Sequence, residues 1–290
     1  MADTQLNFSN PLGLRGRTGA SWRYLFASAL VLMTTLWMGG CASNSGTGGA
    51  ASGQPRPDLV TDSDEPEARK RARIRMELAS GYFAEGKTTI ALDELKQAIA
   101  NDPSFAEVYN LRGLIYMRLN EPALAEEGFR RALQLNSRDA NAAHNYGWLL
   151  CQQRRFVESS AAFKQALAVP LYGDQAKTYL TLGLCQIAEG LKPEAERNLA
   201  HSYEIDAGNP ITGYNLANLL YERGENTRAQ FYARRINNSE YANAESLWLG
   251  IKVERRMQNQ QAMDQLTDQL KKRFPRSREL AALEKGAFNE

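Results

Sequence analysis

Cysteine and histidine are versatile nucleophiles, metal ligands and redox or acid–base groups, and the 290-residue chain has three cysteines and two histidines. The histidines, His144 and His201, lie far apart, and neither has a metal-ligand spacing around it. We therefore expect packing or surface histidines and no catalytic residue. The chain also lacks a phosphate-binding glycine loop and the common hydrolase and metalloprotease motifs. The sequence predicts no enzyme, no metal site and no small-molecule substrate.

The cysteines fall into two contexts. An odd number is unusual for an exported protein unless one cysteine has another use. Cys151 and Cys185 lie 34 residues apart, inside a region rich in helix-forming residues. The favoured interpretation is a pair of half-buried free thiols. A disulfide between neighbouring helical hairpins is the alternative, because an exported protein meets an oxidising compartment. Cys41 lies apart, at the end of an apolar segment.

The first 40 residues have the layout of a signal peptide. Residues 1–23 carry three arginines, and residues 24–38 (YLFASALVLMTTLWM) contain no charge and are followed by Gly39 and Gly40. A helix of that length spans about 22 Å, short of the roughly 30 Å hydrocarbon core of a bilayer. We therefore expect a cleaved leader over residues 1–40 and no permanent membrane helix.

The motif Met38-Gly39-Gly40-Cys41 resembles the lipobox of bacterial lipoproteins, with methionine where leucine is usual. The resemblance implies a diacylglyceryl group on the sulfur of Cys41, cleavage before this residue, and acylation of the new amino group. Two or three acyl chains anchor a protein stably. Ala42 implies sorting to the outer membrane, where the protein faces the periplasm. Apart from this covalent lipid, no cofactor is expected. An ordinary secreted protein cleaved near Gly40 or Ala42 is the alternative.

Residues 41–66 predict a flexible linker behind the lipidated cysteine. Residues 42–66 (ASNSGTGGAASGQPRPDLVTDSDEP) are rich in Ser, Gly, Pro and Asp and too poor in apolar residues to pack. A flexible segment of this length reaches about 25–30 Å on average. This reach lets a folded domain stand off a bilayer.

The charge balance argues against a nucleic-acid partner. The chain has 35 Lys and Arg residues against 33 Asp and Glu residues. The leader holds three of the basic residues and one of the acidic ones, so the remainder has 32 of each. A formally neutral chain has no electrostatic footprint for a phosphate backbone.

A period of 34 residues organises the chain from about residue 72. Sixteen of the eighteen residues at the eighth, twentieth and twenty-seventh positions are Gly, Ala or Ser, the exceptions being Ile236 and Gln269. Small residues at these positions let two helices cross closely, a pattern that resembles the tetratricopeptide repeat. It predicts an all-α solenoid of about six helix-turn-helix repeats over residues 67–276. The windows are 72–105, 106–139, 140–173, 176–209, 210–243 and 243–276.

The fifteenth position of each window falls in the turn between its two helices. This position favours a residue that tolerates a left-handed backbone. Four of the residues found there suit it and two do not: Gly86, Asn120, Gly190 and Gly224, against Arg154 and Met257. The remaining residues, 277–290, predict a capping helix or tail.

The first helix of each repeat is expected to line the concave face of the solenoid, with its second, fifth, ninth and twelfth residues exposed. In the first five windows these residues are mostly apolar or aromatic. We therefore expect a groove for an amphipathic helix or an apolar peptide, with inter-repeat packing as the alternative for any single residue. The candidate binding residues are Met76, Phe83, Asn110, Leu114, Met117, His144, Trp148, Leu180, Leu184, Tyr214, Asn218 and Tyr221.

Four stretches of the chain resemble the PilF/PilW family of type IV pilus biogenesis proteins. They are residues 144–159 (HNYGWLLCQQRRFVES), 182–196 (LGLCQIAEGLKPEAE), 244–257 (AESLWLGIKVERRM) and 270–277 (LKKRFPRS). The resemblance implies a pilotin, an outer-membrane lipoprotein that binds subunits of the pilus secretin and promotes their localisation and assembly into a multimeric pore. A tetratricopeptide scaffold for other envelope machinery, such as peptidoglycan synthesis, is the alternative.

Overall fold

The computed structural model describes residues 65–288. The predicted signal peptide, Cys41 and nearly all of the predicted linker lie outside this range. The described residues form thirteen helices and no strand, which confirms the all-α prediction. None of these helices is long and apolar enough to cross a membrane. In chain order the helices are α1 (Glu67–Ala84), α2 (Thr88–Asn101), α3 (Ala106–Arg118), α4 (Pro122–Leu135), α5 (Ala140–Gln152), α6 (Phe156–Leu167), α7 (Gln175–Glu189), α8 (Lys192–Ile205), α9 (Pro210–Glu222), α10 (Asn226–Asn237), α11 (Ala244–Arg256), α12 (Gln260–Arg273) and α13 (Arg278–Glu284).

The first twelve helices pack as six antiparallel hairpins in chain order, from α1 with α2 to α11 with α12. The second helix of each hairpin also contacts the first helix of the next hairpin. First helices of neighbouring repeats meet as well, α1 with α3, α3 with α5, α5 with α7, and α9 with α11. Second helices make no comparable contact with one another within residues 65–288. The stack therefore curves, with its first helices on the concave side.

Small residues hold the two helices of a hairpin close together. A Cβ atom at Gly113 in α3 would lie 2.6 Å from Cε1 of Phe129 in α4, and one at Gly183 would lie 2.8 Å from Cγ of Leu199. In the first five repeats, the twentieth and twenty-seventh residues are all buried. The large side chain of the second helix thus fills the space that the missing side chain of the first helix leaves open.

Gly128 marks a still closer approach, between α3 and α4. A Cβ atom at Gly128 would lie 2.9 Å from the carbonyl oxygen of Tyr109 and 3.0 Å from the Cα and N atoms of Gly113. These neighbours are backbone atoms, which cannot move aside by rotating a side chain. Gly81 in α1 is the opposite case, because nothing lies within 4 Å of the position of its Cβ.

The sixth repeat begins one residue later than the predicted window 243–276. The side chain of Asn243 accepts a hydrogen bond from the Ser246 N–H (2.8 Å), and the Ser246 hydroxyl oxygen accepts one from the Asn243 N–H (3.0 Å). This capping box starts α11 at residue 244. The left-handed turn then falls on Gln258, with φ of 56°, and the placement of Met257 in that turn is wrong.

In the corrected register the helix-crossing positions of the sixth repeat hold large residues. Ile251 and Leu270 occupy the eighth and twenty-seventh positions, and both are fully buried. Arg154, a residue unsuited to the turn by type, nevertheless adopts a left-handed backbone, with φ of 61°. The repeat geometry therefore prevails over the local preference of a single residue.

The short helix α13 covers the end of the stack. The Ser277 hydroxyl caps it by accepting a hydrogen bond from the Leu280 N–H (3.1 Å). Leu280 is buried in a cluster with Trp248, and the Phe288 ring lies 5.1 Å from the Trp248 ring. The apolar face at the end of the sixth repeat thus has α13 as its cover.

Candidate protein-binding face

The twelve candidate binding residues divide into two groups by burial. Phe83, His144, Leu180 and Tyr221 are at most 8% exposed, so the prediction that these four side chains are exposed is wrong. They lie at the fifth and twelfth positions of their windows, where a side chain packs against the first helix of the next repeat. The other eight residues are half-buried: Met76, Asn110, Leu114, Met117, Trp148, Leu184, Tyr214 and Asn218.

The ninth position of the first helix recurs in each repeat along the concave side. Leu114, Trp148, Leu184, Asn218 and Lys252 occupy this position in the second to sixth repeats, and each is half-buried. We call these five residues the ninth-position row. Its first three members are apolar, and its last two are polar. The row therefore offers an apolar strip that ends in a positive charge.

His144 is a packing residue next to this row. Its Nδ1 lies 2.8 Å from the Oγ1 of Thr178, which lies 3.0 Å from the hydroxyl of Tyr172. The imidazole also makes an edge-to-face contact with Phe163, at 5.7 Å between ring centres. Burial, and to a smaller extent the positive charge of Lys177, lowers the pKa of His144 from 6.5 to about 3. The imidazole is therefore neutral at physiological pH.

The stability of the fold is expected to fall in mild acid because of His144. Between its unfolded pKa near 6.5 and its folded pKa of about 3, only the unfolded state binds the extra proton. The free energy of unfolding therefore falls as the pH drops through this interval, by up to about 1.4 kcal/mol per pH unit. Urea denaturation at pH 7 and pH 5 measures the effect. In His144→Gln the loss over this interval should be smaller than in the wild type by about 2 kcal/mol. Equal losses in the two proteins would contradict the assignment.

Cys151 and Cys185 form a disulfide that joins α5 to α7, with their Cα atoms 5.9 Å apart. The favoured interpretation of free thiols is therefore wrong, and the alternative describes the structure. Both cysteines are buried, in a cluster that includes Phe163. The hydroxyl of Ser159 lies 3.5 Å from the Cys185 sulfur and donates a hydrogen bond to the Gly147 carbonyl (2.7 Å). The bond covalently links the third repeat to the fourth.

The C-terminal end of the ninth-position row combines aromatic rings with positive charge. The Nζ of Lys252 lies 5.4 Å from the ring centre of Tyr221 and 5.7 Å from that of Trp248. The Cζ of Arg256 lies 3.7 Å from the Tyr221 ring centre. The Nη1 of Arg256 also donates a hydrogen bond to the Tyr221 carbonyl oxygen (2.7 Å). We call these four residues the cationic end.

Lys252 has no acidic partner at the cationic end. Burial lowers the pKa of Lys252, and the positive charge of Arg256 lowers it further. Glu222 raises this pKa, but its carboxylate already accepts hydrogen bonds from Lys192 (2.8 Å) and Asn218 (2.9 Å). Within residues 65–288, Lys252 makes no ion pair or hydrogen bond through its ammonium group. The ammonium is thus partly desolvated and has no counterion among the described residues.

Of the four residues of the cationic end, only Tyr221 is among the residues predicted from the sequence. The predicted window 243–276 begins one residue early and puts Ile251 at the ninth position, whereas the 34-residue period counted from Asn218 leads to Lys252. The correcting signal is Asn243 followed three residues later by Ser246, a pair able to cap a helix that begins at residue 244. No group of three or more His, Cys, Asp or Glu side chains able to hold a metal ion occurs in the described part of the chain.

Two family models match the first two repeats. A TPR repeat model covers residues 80–120, and a tetratricopeptide repeat model covers residues 106–139. Both matches agree with the helical hairpins that the structure places there.

Similar proteins extend the likeness to nearly the whole chain. The type IV pilus assembly protein PilF of Pseudomonas aeruginosa is 29% identical over 252 residues, which are 87% of this chain and 95% of the relative. A solved structure of P. aeruginosa PilF has a TM-score of 0.70 and 27% identity, and the match covers 76% of this chain and 100% of that one. A solved structure of PilW, described as a widely conserved type IV pilus biogenesis factor, has a TM-score of 0.65 and 30% identity. That match covers 73% of this chain and 97% of that one.

Proposed function

The chain belongs to the PilF/PilW family of type IV pilus biogenesis proteins, and from this premise we propose that it is a pilotin. In this role it binds subunits of the pilus secretin and promotes their localisation and multimerisation in the outer membrane. The observation that carries the proposal is the match to PilF and PilW over nearly their whole lengths. The function needs neither a catalytic residue nor a nucleic-acid or small-molecule partner.

The ninth-position row is the surface that we assign to the secretin subunit. Leu114, Trp148 and Leu184 are half-buried, so each retains apolar surface that a partner can cover. An amphipathic segment can lay its apolar side chains along such a strip, and the burial of apolar area supplies the affinity. Binding of this kind is reversible, so a subunit can leave when it assembles with others.

A lipid on Cys41 is the second part of the proposal. It anchors the protein to the outer membrane with the repeats facing the periplasm. The motif that ends at Cys41 and the composition of residues 42–66 support this placement. Anchoring confines a bound secretin subunit to the membrane surface and so raises its effective concentration for assembly.

The function is tested in cells that lack the gene or carry only the Cys41→Ala variant. Both strains are expected to lose secretin multimers from the outer membrane, and the variant protein is expected to fractionate with the soluble periplasm. Secretin multimers unchanged in amount and location would overturn the pilotin role. Co-purification of a peptidoglycan synthase in place of the secretin would support an envelope scaffold instead. Persistent membrane fractionation of Cys41→Ala would refute the anchor.

The binding face is tested with Leu184→Asp. A charge at this half-buried position of the row is expected to weaken secretin binding about tenfold or more, because a carboxylate must then be desolvated on binding. Leu171→Asp is the matched control, since Leu171 is fully exposed in the loop between α6 and α7. Pull-down from detergent extracts measures binding, and a melting curve confirms that each variant is folded. Equal binding by the two variants would exclude the row.

A further inference from the structure

The ammonium of Lys252 is held in an unusual environment for a lysine. Its nitrogen lies within 6 Å of the ring centres of both Tyr221 and Trp248. The face of an aromatic ring attracts a cation but does not neutralise it. The two rings also displace water, which weakens the solvation that an exposed lysine retains. The position therefore favours a bound anion more than an ordinary surface lysine does.

No residue of the described chain supplies that anion. Glu222, whose negative charge raises the pKa of Lys252, is bound by Lys192 and Asn218. The buried Glu254, one turn away on α11, is bound by Arg234 and Gln230. The repeat does not require a cation at this position either, because the ninth position holds Leu114, Trp148 or Leu184 in earlier repeats.

The charge at the site matches a single carboxylate. Arg256 is partly committed to the fold, because its Nη1 donates to the Tyr221 carbonyl oxygen. Arg118 occupies the same position in the second repeat as Arg256 does in the sixth. Its Nη1 donates a hydrogen bond to the Phe83 carbonyl oxygen of the preceding repeat (3.4 Å), so the bond made by Arg256 is a feature of the repeat and not of the sixth repeat alone. Lys252 makes no hydrogen bond through its ammonium within the described residues, and Arg256 keeps the donors other than Nη1, so the pair can hold the two oxygens of a carboxylate.

The surroundings point to a carboxylate carried by a polypeptide. The ninth-position row begins with apolar residues, the last of them Leu184 two repeats before Lys252, and Asn218 lies between; Tyr214 is half-buried on the same helix as Asn218. A free small anion would gain nothing from these side chains. A peptide segment with apolar residues followed by Asp or Glu would cover the apolar strip and neutralise the ammonium together.

We propose that Lys252, with Arg256 beside it, binds an Asp or Glu side chain that follows an apolar stretch in the partner of this protein. The proposal rests on the proposed function, because it assigns the chemistry of the secretin segment bound by the ninth-position row. It also fixes where the partner segment lies along the ninth-position row, since the partner's acidic residue must lie at the sixth repeat. Lys252 is here a specificity-determining residue and not a structural one.

The first experiment compares Lys252→Met with the wild type in the full-length, detergent-solubilised lipoprotein. Binding of the purified secretin is expected to weaken about tenfold or more in Lys252→Met, because the partner's carboxylate loses its counterion. Lys252→Arg should stay within about threefold of the wild type, because it keeps the positive charge. Lys164→Met is the matched control, since Lys164 is exposed on the second-helix side of the solenoid. The melting temperature of Lys252→Met should be unchanged or higher. Unchanged affinity, or a loss of affinity together with a lower melting temperature, would overturn the proposal.

A second experiment does not depend on the secretin. A displayed library of short apolar peptides, each with one central Asp, Glu, Asn or Gln, is selected on the wild type and on Lys252→Met. The wild type is expected to enrich the acidic members over the amides, and Lys252→Met is expected to lose that preference. Equal enrichment on both proteins would overturn the carboxylate site. A wild-type protein that selects acidic peptides but does not bind the secretin would leave the site standing and refute the pilotin role.

Discussion

Replacing Gly128 by alanine is expected to lower the free energy of unfolding by about 2–3 kcal/mol, because overpacking at a rigid contact is destabilising. The added Cβ would lie 2.9 Å from the Tyr109 carbonyl oxygen and 3.0 Å from two backbone atoms of Gly113. Relief requires that α3 and α4 move apart, which disturbs the packing of the fully buried Phe129 between them. Valine in place of alanine should prevent the native packing of this hairpin.

Gly81→Ala is the matched control for this prediction. Gly81 lies within α1, and nothing lies within 4 Å of the position of its Cβ. Alanine is expected to raise stability there by up to about 1 kcal/mol, since it favours the helix more than glycine does. Urea denaturation of both variants gives the comparison. A loss of similar size in both would show that glycine is needed for some reason other than close approach.

Removing the Cys151–Cys185 disulfide is expected to lower the free energy of unfolding by about 3–4 kcal/mol. The bond closes a loop across a sequence separation of 34 residues, and the loss of this restraint in the unfolded chain gives an estimate of about that size. The double variant Cys151→Ala, Cys185→Ala measures the effect by chemical denaturation.

A reducing agent provides the control for the disulfide. It should destabilise the wild type by a similar amount and leave the double alanine variant unchanged. A thiol assay of the unfolded, unreduced wild type should find Cys151 and Cys185 unreactive. Two reactive thiols, or a wild-type stability that does not respond to reduction, would refute the bond.

The overall fold could be predicted from the sequence because its determinants are local and periodic. Small residues at helix crossings, such as Gly113 and Ala125, recur with the 34-residue spacing of the hairpins. The family resemblance found in residues 144–159 and 182–196 is confirmed by the relatives PilF and PilW.

The features that could not be predicted depend on contacts between repeats. The burial of Phe83 and Tyr221 follows from how closely neighbouring first helices approach, which a single-hairpin pattern does not describe. The disulfide requires that Cys151 and Cys185 meet across two hairpins, although they fall at different positions of their windows. The register of the sixth repeat, by contrast, follows from the 34-residue period, since α11 begins at residue 244, 34 residues after α9, and two hydrogen bonds between Asn243 and Ser246 cap it there.

The disulfide also has a consequence for how the solenoid moves. In a stack where each repeat contacts only its neighbours, cooperativity is one-dimensional and opening begins at the ends. A covalent link between α5 and α7 joins the third and fourth repeats into a single unit near the middle of the stack. Amide hydrogen exchange should therefore be slowest around this link and faster towards α1 and α13. The cationic end then belongs to a part of the molecule that can adjust its conformation while the centre remains closed.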